Sequence, residues 1–177
     1  MLRLLCAGVF LVAGMVSYTF AAETIKVGDP APNFEMTGSD GKVYKLADFK
    51  DKQAVVVAWY PKAFTGGCTK ECKSFKADGE KMRAFNVAYF TASCDTVQKN
   101  TDFAKSLDAD YAILSDPDGK VATAYGIYNA DKKFSNRVTF YIGKDGKILA
   151  IDSAVKTDSH GADVAAKLKE LGVEAKK

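Results

Sequence analysis

Ala54-Val-Val-Val-Ala-Trp59-Tyr-Pro-Lys-Ala-Phe-Thr-Gly-Gly-Cys-Thr-Lys-Glu-Cys72 begins as an unbroken apolar run and ends with two cysteines four residues apart. Such a run, bounded by charged residues on one side and Pro61 on the other, suits a central strand buried on both faces. A loop with Pro61 and Gly66-Gly67 follows, and the residues from Thr69 to Phe85 are helix-like. Cys68 then falls at or just inside a helix start. Free N–H groups and the helix dipole there favour an anion, so the setting favours a thiolate over a thiol. The two glycines let the backbone approach a small substrate closely.

Working outward, Val87–Ala92 reads as a second buried strand and Gln98–Leu107 as a helix, with Phe103, Ala104 and Leu107 at helical spacing. Tyr111–Leu114 is a short strand. The turn Asp116-Pro-Asp-Gly119 leads into a helical stretch ending at Tyr125. Val138–Ile142 and Ile148–Ile151, joined by Lys144-Asp-Gly-Lys147, form a hairpin, and His160–Leu171 an amphipathic helix. Before the central strand, Gly28–Phe34 is an irregular lead-in with two prolines, and Ser39-Asp-Gly-Lys42 is a hairpin turn. The tail Glu174–Lys177 is expected to fray. Strands alternate with helices and an antiparallel hairpin comes late. The fold class is therefore α/β, a central mixed sheet flanked by helices in three layers.

The chain has 177 residues, 47% hydrophobic and 27% charged, which is ordinary globular composition and excludes a disordered or collagen-like chain. Its net charge of +3 comes from intermixed acids and bases. No basic cluster marks a nucleic-acid surface. Residues 1–22 stand apart: Arg3 gives a positive start, Leu4–Val16 is apolar, and Thr19-Phe20-Ala21 or Phe20-Ala21-Ala22 offers a cleavage site. This is the pattern of a secretory signal peptide. Its apolar run is shorter than the roughly 18–20 residues that span a bilayer. One domain, residues 23–177, is expected to remain after export to a periplasm or the exterior, with no membrane attachment. It keeps Cys68, Cys72 and Cys94, an odd number that flags a free or reactive thiol.

Pro61-x-x-x-Thr65-x-x-Cys68 matches the active-site motif of the peroxiredoxins, and the whole segment resembles that family. Tyr60-Pro61, Glu71, Gly28–Phe34, Ile113–Gly119, Ala124-Tyr-Gly126 and Arg137–Ile142 fall where the family has corresponding segments. The likeness is greatest to the bacterioferritin-comigratory, or PrxQ, branch of the AhpC/TSA superfamily. It implies a thioredoxin-like fold and a thiol peroxidase for hydrogen peroxide and small organic hydroperoxides. Cys68 would be the peroxidatic cysteine, Thr65 its hydrogen-bonding neighbour, Arg137 its electrostatic stabiliser and Pro61 its cover. The resemblance also implies no metal or organic cofactor, a thioredoxin-like or other thiol reductant, and a monomer or weak dimer.

The branch often carries its resolving cysteine five residues after the first, where this chain has Lys73. Cys72 is one turn on from Cys68, and a disulfide between them would require the helix start to unwind. Cys94, after the second strand, is the other candidate. A one-cysteine mechanism using an external thiol is the third possibility. Cys68-x-x-x-Cys72 with the distant His160 is also similar to the Sco copper chaperones, which gives an alternative copper-binding reading. Against it, His160 follows the late hairpin and is expected to be an exposed residue near the start of the last helix.

Overall fold

The structure is a computed structural model in which residues 25–176 are described. The segment read as a signal peptide lies outside them. In chain order the elements are β1 (Glu35–Gly38), β2 (Val43–Lys45), a 3-10 turn (Leu46–Phe49), β3 (Ala54–Trp59), α1 (Gly66–Ala77) and α2 (Gly79–Arg83). Then come β4 (Val87–Ser93), α3 (Val97–Leu107), β5 (Ile113–Ser115), α4 (Lys120–Ala124), β6 (Tyr128–Asn129) and β7 (Phe134–Ser135). The chain closes with β8 (Val138–Ile142), β9 (Ile148–Asp152) and α5 (His160–Glu170).

Seven strands form one sheet in the order β2-β1-β5-β4-β3-β8-β9, while β6 and β7 pair separately. β3 lies parallel to β4 and antiparallel to β8, so the sheet is mixed, as the sequence predicts. All six residues of β3 are buried. Strand side chains alternate between faces. Val55, Val57 and Trp59 join Phe90, Ala92, Leu114, Phe140 and Ile142 in the core of one face, covered by α4 and the N-terminal segment. Val56 and Ala58 point to the other, where Phe75 of α1, Met82 of α2 and Val164 and Leu168 of α5 pack on them. Among the described residues, no helix is long and apolar enough to cross a membrane.

One row on that second face positions the site. Ala58 is paired with Thr91 on β4 and with Thr139 on β8. A small side chain is thus flanked by two hydroxyls beneath α1, and both hydroxyls meet residues discussed below.

Two expectations need correction, and one short hairpin was not expected. The stretch 69–85 is two helices, not one: the chain breaks at Asp78 (φ −101°, ψ 12°), where Asp-Gly gives weak helix support. The β6–β7 hairpin has two residues per strand, too short to show as alternation. The C-terminal tail is tied down rather than frayed. The Asn86 N–H donates to the Glu174 carbonyl at 2.7 Å, the Lys176 N–H donates to the Ala84 carbonyl at 2.8 Å, and Ala175 bridges Phe85.

The start of α5 is fixed by two neighbouring residues. The Gly161 N–H donates to Ser74 Oγ at 2.9 Å, and a Cβ at 161 would run into the Ser74 carbonyl oxygen and lie 2.9 Å from the Asp78 Cβ. Glycine is required here for close approach of α5 to α1. His160 is 1% exposed, its Nε2 is 2.9 Å from Thr139 Oγ1, and Phe75 packs on its ring edge to face at 4.9 Å. Burial pushes the imidazole down to about 4, assisted by Arg137 and opposed by Asp152 and Asp163.

Two outcomes follow for stability. Gly161→Ala should lower the urea midpoint by an amount equivalent to about 1–3 kcal/mol, the range for overpacking. A midpoint equal to wild type would show that α5 does not need the close approach. The depressed imidazole must be neutral in the fold, while the unfolded chain protonates it below its ordinary 6.5. Its contribution is therefore complete above that value and is lost as pH falls from 6.5 toward 4. Unfolding at pH 5 should be easier than at pH 7.5 by about 2 kcal/mol from this group alone. A His160→Asn variant with the same pH slope as wild type would contradict the assignment.

Candidate active site

β3 delivers the chain to a loop held by its backbone. Tyr60 is fully buried, its hydroxyl donates to Asn100 Oδ1 at 2.8 Å, and Ser135 Oγ donates to its carbonyl at 3.1 Å. Asp95 accepts the Ala63 N–H at 2.7 Å and is paired with Lys99 at 2.6 Å. The loop is thereby fixed to the ends of β4 and α3. Pro61 is half-buried between these anchors. Phe64 adopts a positive φ of 64°, stays exposed, and packs its ring 4.9 Å from Phe103.

Thr65 then occupies the N-cap position of α1 in extended conformation, but its side chain caps no N–H. Its hydroxyl donates instead to the Lys62 carbonyl at 2.9 Å, with both lone pairs still able to accept. Cys68 is the third residue of α1, within the turn whose N–H groups lack helical acceptors, and is 2% exposed. Arg137, from the segment entering β8, donates from Nη2 to Cys68 Sγ at 3.3 Å. The cysteine and arginine, far apart in sequence, are brought together by the β3–β8 pairing.

Arg137 also faces Glu71 through Nη1. Glu71 lies three residues after Cys68, on the same side of α1. It is fully buried, and its second oxygen, Oε1, is 2.9 Å from Nδ1 of His160. The Arg137 contact is an ion pair and the His160 contact a close polar approach, and neither is a well-aligned hydrogen bond. A chain of polar contacts thus runs from Cys68 to Arg137, Glu71, His160 and Thr139. A buried carboxylate without partners is heavily penalised, so Glu71 depends on both neighbours.

Cys72 is fully buried with Cys68 in a cluster that includes Tyr60, Phe103 and Ile113. Its Sγ lies 4.0 Å from Thr91 Oγ1, and burial pushes its thiol up to about 12. Cys94, partly exposed, packs against the core on the opposite face of the sheet. Burial, then the negative charges of Asp116 and Asp95, push it up to about 12 as well. All three described cysteines are free.

The expectation for His160 is wrong. It is interior, because α5 turns its inner stripe of His160, Val164 and Leu168 toward the sheet. The spacing of four and eight residues carried that signal, but a polar residue at a helix start reads more readily as surface. Both ring nitrogens are engaged, so neither is free for a metal, and the copper reading is not supported. Among the described residues, no three His, Cys, Asp or Glu side chains form a metal-binding group. Sequence reasoning also missed Asp95 as an anchor of the loop, and no local pattern marks it.

The AhpC/TSA family model matches residues 27–151. The chain is 30% identical to peroxiredoxin Bcp of Bacillus subtilis over 154 residues, covering 84% of this chain and 98% of the relative. It is 33% identical to peroxiredoxin Bcp of Escherichia coli K12 over 153 residues, covering 82% and 97%. The crystal structure of peroxidoxin BcpB from Mycobacterium tuberculosis superposes with a TM-score of 0.75 at 31% identity, covering 82% of this chain and 97% of that one. Thioredoxin-like architecture, a free buried cysteine at a helix start and these relatives agree: the chain belongs to the AhpC/TSA family and is a peroxiredoxin, a thiol-dependent peroxidase.

Proposed function

We propose that Cys68 is the peroxidatic residue, and the single observation that carries this is the Arg137 Nη2 contact to its sulfur at 3.3 Å. The thiolate attacks the nearer oxygen of a hydroperoxide. The O–O bond breaks, the sulfur becomes a sulfenic acid, and the leaving alkoxide or hydroxide takes a proton from solvent. Arg137 faces the place where that negative charge develops, and its contact with the sulfur needs no reorganisation to serve it. Thr65 offers lone pairs to the peroxide hydrogen while its own proton stays on the Lys62 carbonyl. Pro61 limits water and contributes no backbone donor. The proposed substrates are hydrogen peroxide and small organic hydroperoxides.

For resolution, we favour Cys72. Its thiol condenses with the sulfenic acid, forming a disulfide and releasing water, and a thioredoxin-like dithiol then reduces the bond. Support comes from the shared apolar cluster of Cys68 and Cys72, against the sheet that separates both from Cys94. The helix must open for the two sulfurs to meet. Gly66-Gly67 and an N-cap side chain that holds no N–H make its first turn the weakest part of α1. We also propose export, on the strength of Arg3, the apolar stretch 4–16 and the small residues 19–22.

Three measurements check these readings. Reduced protein should consume peroxide, and Cys68→Ser should reduce consumption to the uncatalysed background; undiminished turnover would refute the assignment. Peptide mass spectrometry after one equivalent of peroxide should find a 68–72 crosslink, whereas a 68–94 crosslink would place resolution at Cys94. N-terminal sequencing of protein recovered after export should begin at Ala22 or Glu23, and a chain still starting at Met1 would contradict the export reading.

A further inference from the structure

His160 lies outside the peroxide-binding loop, yet it touches the carboxylate that touches Arg137. It is the chain's single histidine. Its Nε2 is 2.9 Å from the Thr139 hydroxyl and its Nδ1 is 2.9 Å from Glu71 Oε1. A carboxylate can only accept, so the proton belongs on Nδ1. The Thr139 hydroxyl can then donate to the bare Nε2, which fixes that tautomer. The ring cannot swing away, because Phe75 closes one side and the start of α5 carries it.

We propose that His160 is a positioning residue for peroxide reduction: with Nδ1 turned to Glu71 Oε1 it orients that carboxylate, and through it the Arg137 guanidinium that faces Cys68. The inference rests on the reading of Cys68 as peroxidatic. The physical reason lies in Glu71. It has two oxygens, and Arg137 takes one while His160 takes the other. Without the imidazole, a fully buried oxygen would lose its nearest polar neighbour. The carboxylate would then protonate or rotate toward another partner, as buried charges do when one neighbour is removed. Either change loosens Arg137, which is itself only partly buried and can move outward. Asp152 on β9 and Asp163 on α5 favour the charged imidazole, and Arg137 opposes it.

The test uses the reduced, full protein in a single turnover with hydrogen peroxide across a range of pH. His160→Leu keeps bulk but removes the donor, and His160→Asn keeps a side-chain N–H near the Nδ1 position. Circular dichroism confirms the fold of each. His160→Leu should slow Cys68 oxidation about 10- to 100-fold, the scale seen for outer-shell partners of charged sites. Its pH–rate profile should move to higher pH, while His160→Asn recovers most of the rate. A folded His160→Leu protein with wild-type rate and profile would overturn the proposal, as would an Asn variant no faster than Leu. If His160→Leu does not fold, imidazole nitrogen NMR of wild type and Arg137→Gln decides. The single histidine should show the Nδ1–H tautomer, and its signal should shift when Arg137 is replaced. An Nε2–H tautomer, or a signal indifferent to Arg137, overturns the proposal. Neither arm touches the assignment of Cys68, which fails separately if Cys68→Ser remains active.

Discussion

The Arg137 guanidinium stands between a sulfur and a carboxylate, with one nitrogen turned to each. A planar, always charged fork can serve two acceptors at once, whereas an ammonium on a flexible stem holds neither direction. The sulfur gains a cationic neighbour at 3.3 Å. The carboxylate, fully buried, gains the partner without which it would be expelled or protonated. Each acceptor also restrains the arginine for the other. The environment of Cys68 and that of the buried Glu71 therefore depend on the same side chain.

The rest of the fold supplies the alignment. Cys68 and Glu71 share one side of α1, so a single guanidinium reaches both. Arg137 arrives there because β8 runs antiparallel to β3 with Trp59 opposite Val138 and Ala58 opposite Thr139. A slip of one residue would turn Thr139 to the opposite face and withdraw it from His160. Gly161 lets α5 settle against α1, which brings the imidazole to Glu71. The start of α1 carries two glycines and a threonine whose side chain caps no N–H.

Much of this was legible in residue order. The six-residue apolar run of β3, the β8–β9 hairpin around Asp145-Gly146 and the helices α3 and α5 carry strong periodic or turn signals, and they appear within a residue or two of their expected bounds. Cys68 was visible from the strand, loop and helix start around it, and Thr65, Pro61 and Arg137 from the resemblance to the peroxiredoxins. What stayed hidden is long range. Neither the pairing of Glu71 with His160, nor the hold of Asp95 on Ala63, is encoded by spacing, since the partners come from different elements packed by the sheet. The break at Asp78 follows the weak helix support of Asp-Gly, while the pinned C-terminal tail is a tertiary outcome in which backbone pairing holds a polar terminus.

The most direct test of the central contact is the rate at which Cys68 is alkylated at neutral pH, compared between wild type and Arg137→Gln in a background where Cys72 and Cys94 are serine. If the guanidinium contact sets the reactivity of the sulfur, the Gln variant should react at least about tenfold more slowly, the scale of one lost charge-assisted contact. Equal rates in two folded proteins would show that Arg137 does not set the reactivity of that sulfur.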